Sequence, residues 1–506
     1  MYRFLKIARV FVSLFFLISI TLSFIYFINR DTLFFSNFLK LQFVPAFLGV
    51  FSGTALFFLI ILLITLLFGR LYCSTLCPLG IYQDIVSAIS RKFKSKKNRR
   101  FKFDLPKNKL RYSILLFIAI LFVFGISYPL AILDPYSNWG KISNEIISRS
   151  EQLIHNIASG FFPETIYYRP YAQFSVLSFI FAILFFAIVT IFSAFRGRLY
   201  CNTICPVGAF LGLFSKTSLF KPTINKSMCT SCHLCLSNCK SQCIDLKTKT
   251  IDESRCVACF NCMISCTNSG ISYKFRWTKE DAQNNQQMVS DSRRTALIAF
   301  GALGTALAVK AANLKPILSS KHKNSAIAPP GAQTIELFKK NCTACHACIS
   351  ACPNNIIKPS VGEYGIEGIL LPVLSFDHHF CSYECNICST VCPNNALKKI
   401  SLEEKKLTQI GEVQFELKKC IVYTDRTDCG ACDEHCPTKA IKMIPYEDGL
   451  VIPSIETSLC IGCGGCEYIC PAEPKAIVVH GLPIQTIAKK PEIIEQKKIE
   501  VDDFGF

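Results

Sequence analysis

The chain has 506 residues, of which 51% are hydrophobic and 18% are charged, and its mean hydropathy is +0.34. This composition is too apolar for a wholly soluble protein and too charged for one confined to a membrane. The length fits about three domains. The formal net charge of +19 is not accompanied by a nucleic-acid recognition motif, so no nucleic-acid partner is expected. We therefore expect membrane and water-soluble parts to be separated along the chain.

Residues 1–215 are predicted to form a four-helix membrane domain in the lipid bilayer. Four apolar stretches approach the roughly 20 residues that a transmembrane helix needs. A dense basic run at 91–100 lies between the second and third stretches, and basic loops tend to remain in the cytoplasm. Both ends of the bundle are therefore predicted inside, and the loop from Asp134 to Tyr171 outside. The four stretches are at about 7–28, 44–69, 112–133 and 172–195.

The membrane domain contains an internal repeat. Residues 69–80, GRLYCSTLCPLG, return as residues 197–208, GRLYCNTICPVG, and each copy carries a Cys-x3-Cys-Pro motif. If the two copies form a pseudo-two-fold bundle, their four thiols converge at the cytoplasmic face and could bind an iron–sulfur centre. Alternatively, the motifs are helix-end turns whose thiols serve docking or redox roles. The four residues are Cys73, Cys77, Cys201 and Cys205.

Polar residues follow only the first copy of the repeat. Gln83 and Asp84 lie there, whereas Leu211 and Gly212 follow the second copy. A site that oxidises a membrane quinol needs hydrogen-bonding and proton-accepting groups beside an apolar cavity, so Gln83 and Asp84 are candidate quinol contacts. A solvated loop start is the plainer interpretation. Rival candidates in the outer loop, with aromatic-belt or surface roles as their alternative, are Asp134, Tyr136, Trp139 and His155.

Residues 216–275 contain two cysteine quartets, each with the spacing x2, x2, x3. This spacing is typical of two-cluster [4Fe-4S] ferredoxins, in which the fourth cysteine of each quartet ligates the other cluster. The two predicted clusters are thus close neighbours, as electron transfer between them requires. One is predicted at Cys229, Cys232, Cys235 and Cys266, and the other at Cys256, Cys259, Cys262 and Cys239.

Haem is not expected, although two CxxCH sequences are present at 229–233 and 342–346. Both continue to a third and a fourth cysteine at cluster spacing, which covalent haem attachment would leave unused. Haem within the bundle would need a histidine pair, and His155 is the only histidine in the first 200 residues, in a predicted loop.

Residues 276–332 are predicted to be a linker. Within it, at 292–312, Arg293 and Arg294 precede a short apolar stretch rich in alanine and glycine. The pattern is similar to a twin-arginine export signal, or to a fifth membrane helix with basic flanks, and either would carry the following domain out of the cytoplasm. A hydrophobic linker lying on the membrane surface is the third interpretation, since about 15 apolar residues are short for a span.

Residues 333–506 contain four more quartets and are predicted to form a ferredoxin-type domain. The pairs Ala396-Leu397 and Ala440-Ile441 are expected to start short strands. The spacing does not show which quartets exchange a cysteine, and His378 and His379 are expected at the surface. The quartets are Cys342, Cys345, Cys348 and Cys352; Cys381, Cys385, Cys388 and Cys392; Cys420, Cys429, Cys432 and Cys436; and Cys460, Cys463, Cys466 and Cys470.

Of the 29 cysteines, all but Cys243 belong to the six quartets or to the repeat. A disulfide framework would not repeat cluster spacing six times, so about six [4Fe-4S] clusters are predicted. Cys243 is expected to be a small buried residue.

With these motifs established, the first 275 residues resemble NapH-type membrane ferredoxin subunits. Residues from about 290 onward resemble NapG-type ferredoxin subunits, with the twin-arginine start, the entry at Pro329–Ala332 and the four quartets. Three features depart from that pattern: the two parts are fused, Lys240 and Thr267 replace prolines, and the second quartet opens with Cys381-x3-Cys385.

The resemblance implies a membrane α-helical bundle with α+β ferredoxin-like [4Fe-4S] domains. It implies a quinol dehydrogenase component of the bacterial cytoplasmic membrane, which takes electrons from a membrane quinol and passes them to a downstream redox protein or terminal reductase. The first ferredoxin domain would be cytoplasmic and the last domain periplasmic.

The sequence is also compatible with two other functions. A membrane ferredoxin could serve as a cofactor-assembly or metal-reducing accessory factor, but such proteins resemble only the first half of the chain. A regulatory electron feeder would carry a flavin-bearing outer domain, and the sequence has no flavin or dinucleotide glycine motif.

Overall fold

A computed structural model describes residues 1–25, 38–50, 55–95, 100–169, 171, 173–276 and 326–490. The predicted export signal or fifth span at 292–312 lies outside these residues.

Two described helices are long and apolar enough to cross a membrane, Tyr2–Ile25 and Val176–Arg196. Only 33% and 22% of their apolar windows are buried, so neither resembles the core helix of a soluble protein. They support membrane association of the chain.

The predicted four-span bundle is only partly found. In the second stretch the described residues form the helices Phe43–Gly49 and Leu56–Phe68, and residues 51–54 lie outside the described part. The third stretch forms the helix Asn108–Val123, and its 16 residues rise about 24 Å, less than the roughly 30 Å of a hydrocarbon core. The remaining helices here are Tyr72–Thr75, Pro78–Phe93, Tyr128–Leu133, Leu199–Thr203 and Pro206–Ser215.

The segment after Asp134 was predicted to be a loop, and this prediction is wrong. It forms the helix Pro135–Ile142, the π-helical turn Ser143–Ser148 and the helix Arg149–Phe161, which includes His155. Asp134 caps the first of these helices by accepting hydrogen bonds from Ser137 N at 2.8 Å and Ser137 Oγ at 2.6 Å.

The first ferredoxin domain consists of two antiparallel strand pairs and two short helices. Phe220–Ile224 pairs with Ile271–Phe275, which joins the start of the domain to its end. Ile244–Asp245 pairs with Thr250–Ile251, and the helices are Leu234–Ser237 and Asn261–Ser265.

The C-terminal domain is built from three further antiparallel strand pairs around one apolar core. A strand does start at Ile441, as predicted, but the described residues 396–397 form no strand. The strand pairs are Ile357–Pro359 with Pro372–Leu374, Thr408–Phe415 with Ile477–Ile487, and Ile441–Pro445 with Val451–Ile455. The helices and 3-10 turns are Ile335–Asn341, Ala347–Ala351, Ile366–Gly368, Ile387–Val391, Leu402–Leu407, Leu417–Lys419, Ile421–Thr424, Ala431–Glu434, Glu447–Gly449 and Gly465–Ile469.

The two ferredoxin-type domains contact opposite ends of the helix Tyr2–Ile25. At its start, Tyr273 N of the first ferredoxin domain donates to the Tyr2 hydroxyl at 3.1 Å. At its end, Phe24 packs against Gly140, and a Cβ at Gly140 would lie 2.2 Å from the carbonyl oxygen of Cys345. A helix of 24 residues is about 36 Å long, so the bundle lies between the two domains.

Candidate iron–sulfur centres

In the first ferredoxin domain, the cysteines line two cavities in the exchange that the spacing predicts. One cavity is lined by Cys229, Cys232, Cys235 and Cys266, and the other by Cys239, Cys256, Cys259 and Cys262. Cys243 is buried, as expected, but it also lines the second cavity and its sulfur lies 3.5 Å from that of Cys239.

The C-terminal quartets exchange their fourth cysteines in two pairs. Cys352 of the first quartet lines a cavity with Cys381, Cys385 and Cys388, and Cys470 of the fourth lines one with Cys420, Cys429 and Cys432. Conversely, Cys392 lies close enough to interact electrostatically with the other three cysteines of the first quartet, Cys342, Cys345 and Cys348. Cys436 is placed in the same way with respect to Cys460, Cys463 and Cys466 of the fourth quartet. The first quartet therefore interleaves with the second, and the third with the fourth.

Local backbone geometry directs amide groups toward these sulfurs. Residues with positive φ recur between the first three cysteines of a quartet, for example His233, Phe260 and His346. Backbone N–H groups of Gly270 and Ala440 donate to the sulfurs of Cys266 and Cys436, both at 3.2 Å. Such hydrogen bonds favour thiolates, which are the form that iron binds.

No group of three or more His, Cys, Asp or Glu side chains in the described part of the chain is close enough to hold a single metal ion. The assignment of clusters to the quartets rests on their cysteine spacing and on the cavities that they line.

The four cysteines of the repeat converge at the centre of the bundle. Each is about 3% exposed, and all belong to one apolar core. Cys77 is within electrostatic range of the other three, and Cys205 of both Cys73 and Cys201. Cys77 and Cys205 precede the helices Pro78–Phe93 and Pro206–Ser215, and Gly208 N donates to the Cys205 sulfur at 3.3 Å.

The two copies of the repeat hold each other through buried arginines. Arg70 Nη2 donates to the carbonyl oxygen of Cys201 at 3.0 Å, and Arg198 Nη1 donates to that of Cys73 at 2.6 Å. The last glycine of each copy is required by the same packing. A Cβ at Gly80 would lie 2.3 Å from the Cys73 carbonyl oxygen, and one at Gly208 2.2 Å from that of Cys201.

The two candidate quinol contacts differ in their surroundings. Gln83 is fully buried and its Nε2 donates to the Cys201 sulfur at 3.2 Å, while its Oε1 accepts no hydrogen bond from a described residue. Asp84 pairs with Arg198 at 2.7 Å, Lys240 at 2.7 Å and Arg9 at 3.3 Å. Burial alone would raise the pKa of Asp84, but these three cations hold it well below its usual range.

Lys240 stands where the NapH-type pattern has a proline. Its contacts explain why a lysine occupies this position. Its Nζ reaches Asp84, and its carbonyl oxygen accepts a hydrogen bond from Arg198 N at 3.0 Å. A Cβ at Gly197 would lie 2.4 Å from that same carbonyl oxygen. Lys240 therefore fixes the first ferredoxin domain to the bundle.

The four other candidate quinol contacts lie in two different places in the structure. Asp134, Tyr136 and Trp139 are buried, and Trp139 lies beside Tyr82 with ring centroids 5.6 Å apart. His155 lies in the separate helix Arg149–Phe161. The half-buried Tyr82, which the sequence analysis did not select, also stacks on Phe186 at 5.0 Å and pairs its hydroxyl with Thr190 Oγ1 at 2.7 Å.

The other end of the bundle contacts the first quartet of the C-terminal domain. Tyr136 and Cys345 belong to the same apolar core, and Ser350 Oγ donates to Asn144 Oδ1 at 2.9 Å. His346 Nδ1 lies 4.0 Å from Glu145 Oε1, with both side chains fully buried. Burial and Lys141 lower the pKa of His346 to about 3, so this contact joins a neutral ring to Glu145. No motif in the sequence marks Glu145, because only the folded chain brings it to the interface.

Family profiles match three parts of the chain. A profile described as a 4Fe-4S binding domain covers residues 53–97 and 178–227, which include both copies of the repeat motif. A 4Fe-4S dicluster domain covers 425–473, and another 4Fe-4S binding domain covers 335–358. Ferredoxin-type protein NapF of Escherichia coli K12 is 30% identical over 164 residues, 32% of this chain and 90% of that protein. The chain belongs to the family of ferredoxin-type proteins that includes NapF.

Other relatives match over shorter fractions of their length. Putative electron transport protein YccM of Escherichia coli K12 is 24% identical over 38% of this chain and 48% of that protein. Regulatory protein NosR of Stutzerimonas stutzeri is 25% identical over 35% of this chain and 21% of that protein. No solved structure matches the chain. The chain is thus an iron–sulfur electron transfer protein related to NapF, YccM and NosR.

Proposed function

We propose that this chain oxidises a membrane quinol and passes the electrons along [4Fe-4S] clusters to a redox protein or terminal reductase outside the cytoplasm. The observation that carries this proposal is the position of the bundle between two ferredoxin-type domains, with Tyr273 bonded to Tyr2 at one end and Cys345 packed beside Gly140 and Phe24 at the other. A bundle in that place gives a lipid-soluble donor access to clusters on either side.

Six clusters would be held by the six quartets, and the cavities and amide donors around the sulfurs fit that assignment. Bound [4Fe-4S] clusters would accept and release single electrons. The polypeptide supplies the thiolates, the surrounding apolar core and the amide hydrogen bonds that tune the potential.

We propose that quinol binds where Tyr82 faces the helix Val176–Arg196, next to Gln83. Tyr82 and Trp139 offer an aromatic wall, and the unpaired Gln83 Oε1 is an acceptor for a quinol hydroxyl. Asp84 has another role in this proposal. Its carboxylate is committed to three cations, so it anchors the ferredoxin domain instead of receiving a proton.

In this proposed function the chain consists of a NapH-type part fused to a NapG-type part. The first ferredoxin domain would be cytoplasmic and the C-terminal domain periplasmic. Tethering raises the effective concentration of each part at the other, which favours continuous transfer between them.

Quinol oxidation is tested with the purified full chain in proteoliposomes under anaerobic conditions. Addition of menaquinol or ubiquinol should bleach the visible cluster absorbance, and Tyr82→Leu should slow bleaching by about tenfold or more, a cost of about 1.4 kcal/mol in the barrier. Tyr168→Leu, which changes a tyrosine 63% exposed outside this wall, is the matched control. Clusters that dithionite reduces but neither quinol reduces would contradict the proposal.

A further inference from the structure

The four cysteines of the repeat lie between the two ferredoxin-type domains. On one side, Cys259 of the first ferredoxin domain packs against the apolar core that contains them. On the other side, Cys345 of the C-terminal domain is part of the same core, as are Tyr136 and Trp139. A redox group at the repeat would therefore stand between the nearest cysteines of the two domains.

The charges around these cysteines point to an anion. Arg70 and Arg111 are 0% and 2% exposed, and neither forms an ion pair with a carboxylate in the part of the chain that the structure describes. Arg70 donates to Asn202 Oδ1 at 2.9 Å and to the Ser254 carbonyl oxygen at 2.9 Å, and its Nη2 lies 3.9 Å from the Cys73 sulfur. Arg111 Nη2 donates to the Gly208 carbonyl oxygen at 2.7 Å.

Burial of two guanidinium groups without a salt-bridged carboxylate is unfavourable, because Asp252, the carboxylate that acts on Arg111, is itself paired with Arg255 at 2.6 Å. Four neutral thiols would leave that cost in place. Four thiolates around an oxidised [4Fe-4S] or [2Fe-2S] core of charge 2+ carry a net charge of 2−, which two guanidinium groups balance. The helix starts after Cys77 and Cys205, of 16 and 10 residues, add favourable dipoles to the same sulfurs.

We propose that Cys73, Cys77, Cys201 and Cys205 together bind one iron–sulfur cluster, and that this cluster relays electrons between the two ferredoxin-type domains. The relay rests on the proposed function, but the cluster itself does not. The relay cluster accepts one electron from the cluster at Cys239, Cys256, Cys259 and Cys262, and the formal charge of its iron–sulfur core falls by one. The same electron then leaves to the cluster at Cys342, Cys345, Cys348 and Cys392, with no bond or proton changed. Electrons that flow in the opposite direction pass through the same relay cluster.

Gln83 makes the site asymmetric. It donates to the Cys201 sulfur at 3.2 Å, and the corresponding position after the second copy is Leu211, which cannot donate. A hydrogen bond to one thiolate stabilises the reduced, more negative state, so Gln83 acts as a positioning residue that raises the potential of the relay.

The cluster is tested by iron content and electron paramagnetic resonance of the full chain, purified anaerobically and reduced stepwise with dithionite. The variant Cys73→Ser with Cys201→Ser should lose about two to four iron atoms per chain and one signal, while the signals of the ferredoxin-type clusters remain. The control is Thr75→Ala with Thr203→Ala, since these hydroxyls donate to the backbone carbonyl oxygens of Leu71 and Leu199 in the preceding turn. Iron content and spectra equal to those of the control would overturn the proposal.

If the variant with Cys73→Ser and Cys201→Ser fails to fold and also loses the ferredoxin-type clusters, a second variant provides the test. Gln83→Leu keeps the four cysteines, so it should lower the midpoint of one signal without changing the iron content. A redox titration in which no signal moves would then overturn the proposal. Both tests reduce the protein with dithionite instead of quinol. They therefore test the cluster even if the chain does not oxidise quinol.

Discussion

Lys240 Nζ lies 2.7 Å from Asp84 Oδ2, and this ion pair joins the first ferredoxin domain to the helix that follows the first repeat copy. Both side chains are about 10% exposed, and Asp84 also binds Arg198 and Arg9. The pair therefore connects the cluster-binding domain with both copies of the repeat.

Removal of Lys240 should weaken the docking of the first ferredoxin domain, while Asp84 keeps its pairs with Arg198 and Arg9. Lys240→Met is therefore expected to destabilise the docked domain by about 1.5–3 kcal/mol, the contribution of one charged hydrogen bond. Thermal unfolding in detergent and limited proteolysis of the domain would measure the effect. The control is Lys339→Met, which breaks a more exposed pair with Glu367 at 3.2 Å and should cost less than about 1 kcal/mol. Equal effects of the two substitutions would show that Lys240 does not hold the domain.

The contribution of this pair should be nearly constant at physiological pH. The pKa of Asp84 is lowered, so its stabilisation is complete above the ordinary carboxyl pKa of about 3.9 and is lost only as pH falls through the depressed folded value. The difference in melting temperature between the wild-type chain and Asp84→Asn should therefore stay constant from about pH 5 to 8. A difference that shrinks between pH 7 and 5 would mean that Asp84 titrates there.

The terminal glycines of the repeat should not tolerate a side chain. Gly80→Ala and Gly208→Ala each place a Cβ within 2.3 Å of a cysteine carbonyl oxygen, and we expect destabilisation of about 1–3 kcal/mol with loss of the repeat geometry. Gly160→Ala is the control, because no atom lies within 4 Å of its Cβ position in the helix Arg149–Phe161. There, alanine should be neutral or stabilising by up to about 1 kcal/mol. Chemical denaturation of the three variants distinguishes these outcomes.

The exchange of cysteines in the C-terminal domain predicts a pattern of non-additive iron loss. Cys352→Ser and Cys388→Ser act on one cavity, so the double variant should lose no more iron than either single variant. Cys348→Ser with Cys388→Ser acts on two different sets of four cysteines and should lose about twice as much. Iron analysis and electron paramagnetic resonance of these variants provide the test. Additive loss for Cys352 and Cys388 would contradict the exchange.

The cluster motifs could be read from the sequence because thiolate ligation depends on local spacing. The same spacing predicted the exchange between Cys239 and Cys266 that the cavities show. Repetition of residues 69–80 at 197–208 likewise predicted that four thiols converge. It did not predict the reciprocal bonds of Arg70 and Arg198, since each arginine bonds a carbonyl more than 120 residues away.

Other features depended on tertiary context that no local pattern carries. The segment after Asp134 has mixed charge, which suggested a loop, but its polar residues are buried where the C-terminal domain covers them. Asp84 was a candidate quinol contact because it follows the first copy of the repeat and could accept a proton beside an apolar cavity. Its three cations come from positions 9, 198 and 240, so only the folded chain shows that it is an anchor.

The central claim is that electrons pass through the bundle between domains on opposite sides of a membrane, and epitope accessibility tests it most directly. One tag is inserted after Thr248, in the turn between the strands Ile244–Asp245 and Thr250–Ile251, and another after Glu367, beside Ile366, which is 81% exposed. In intact spheroplasts, antibody should bind the tag at Glu367 and reach the tag at Thr248 only after permeabilisation. Binding of both tags on the same side would contradict the account.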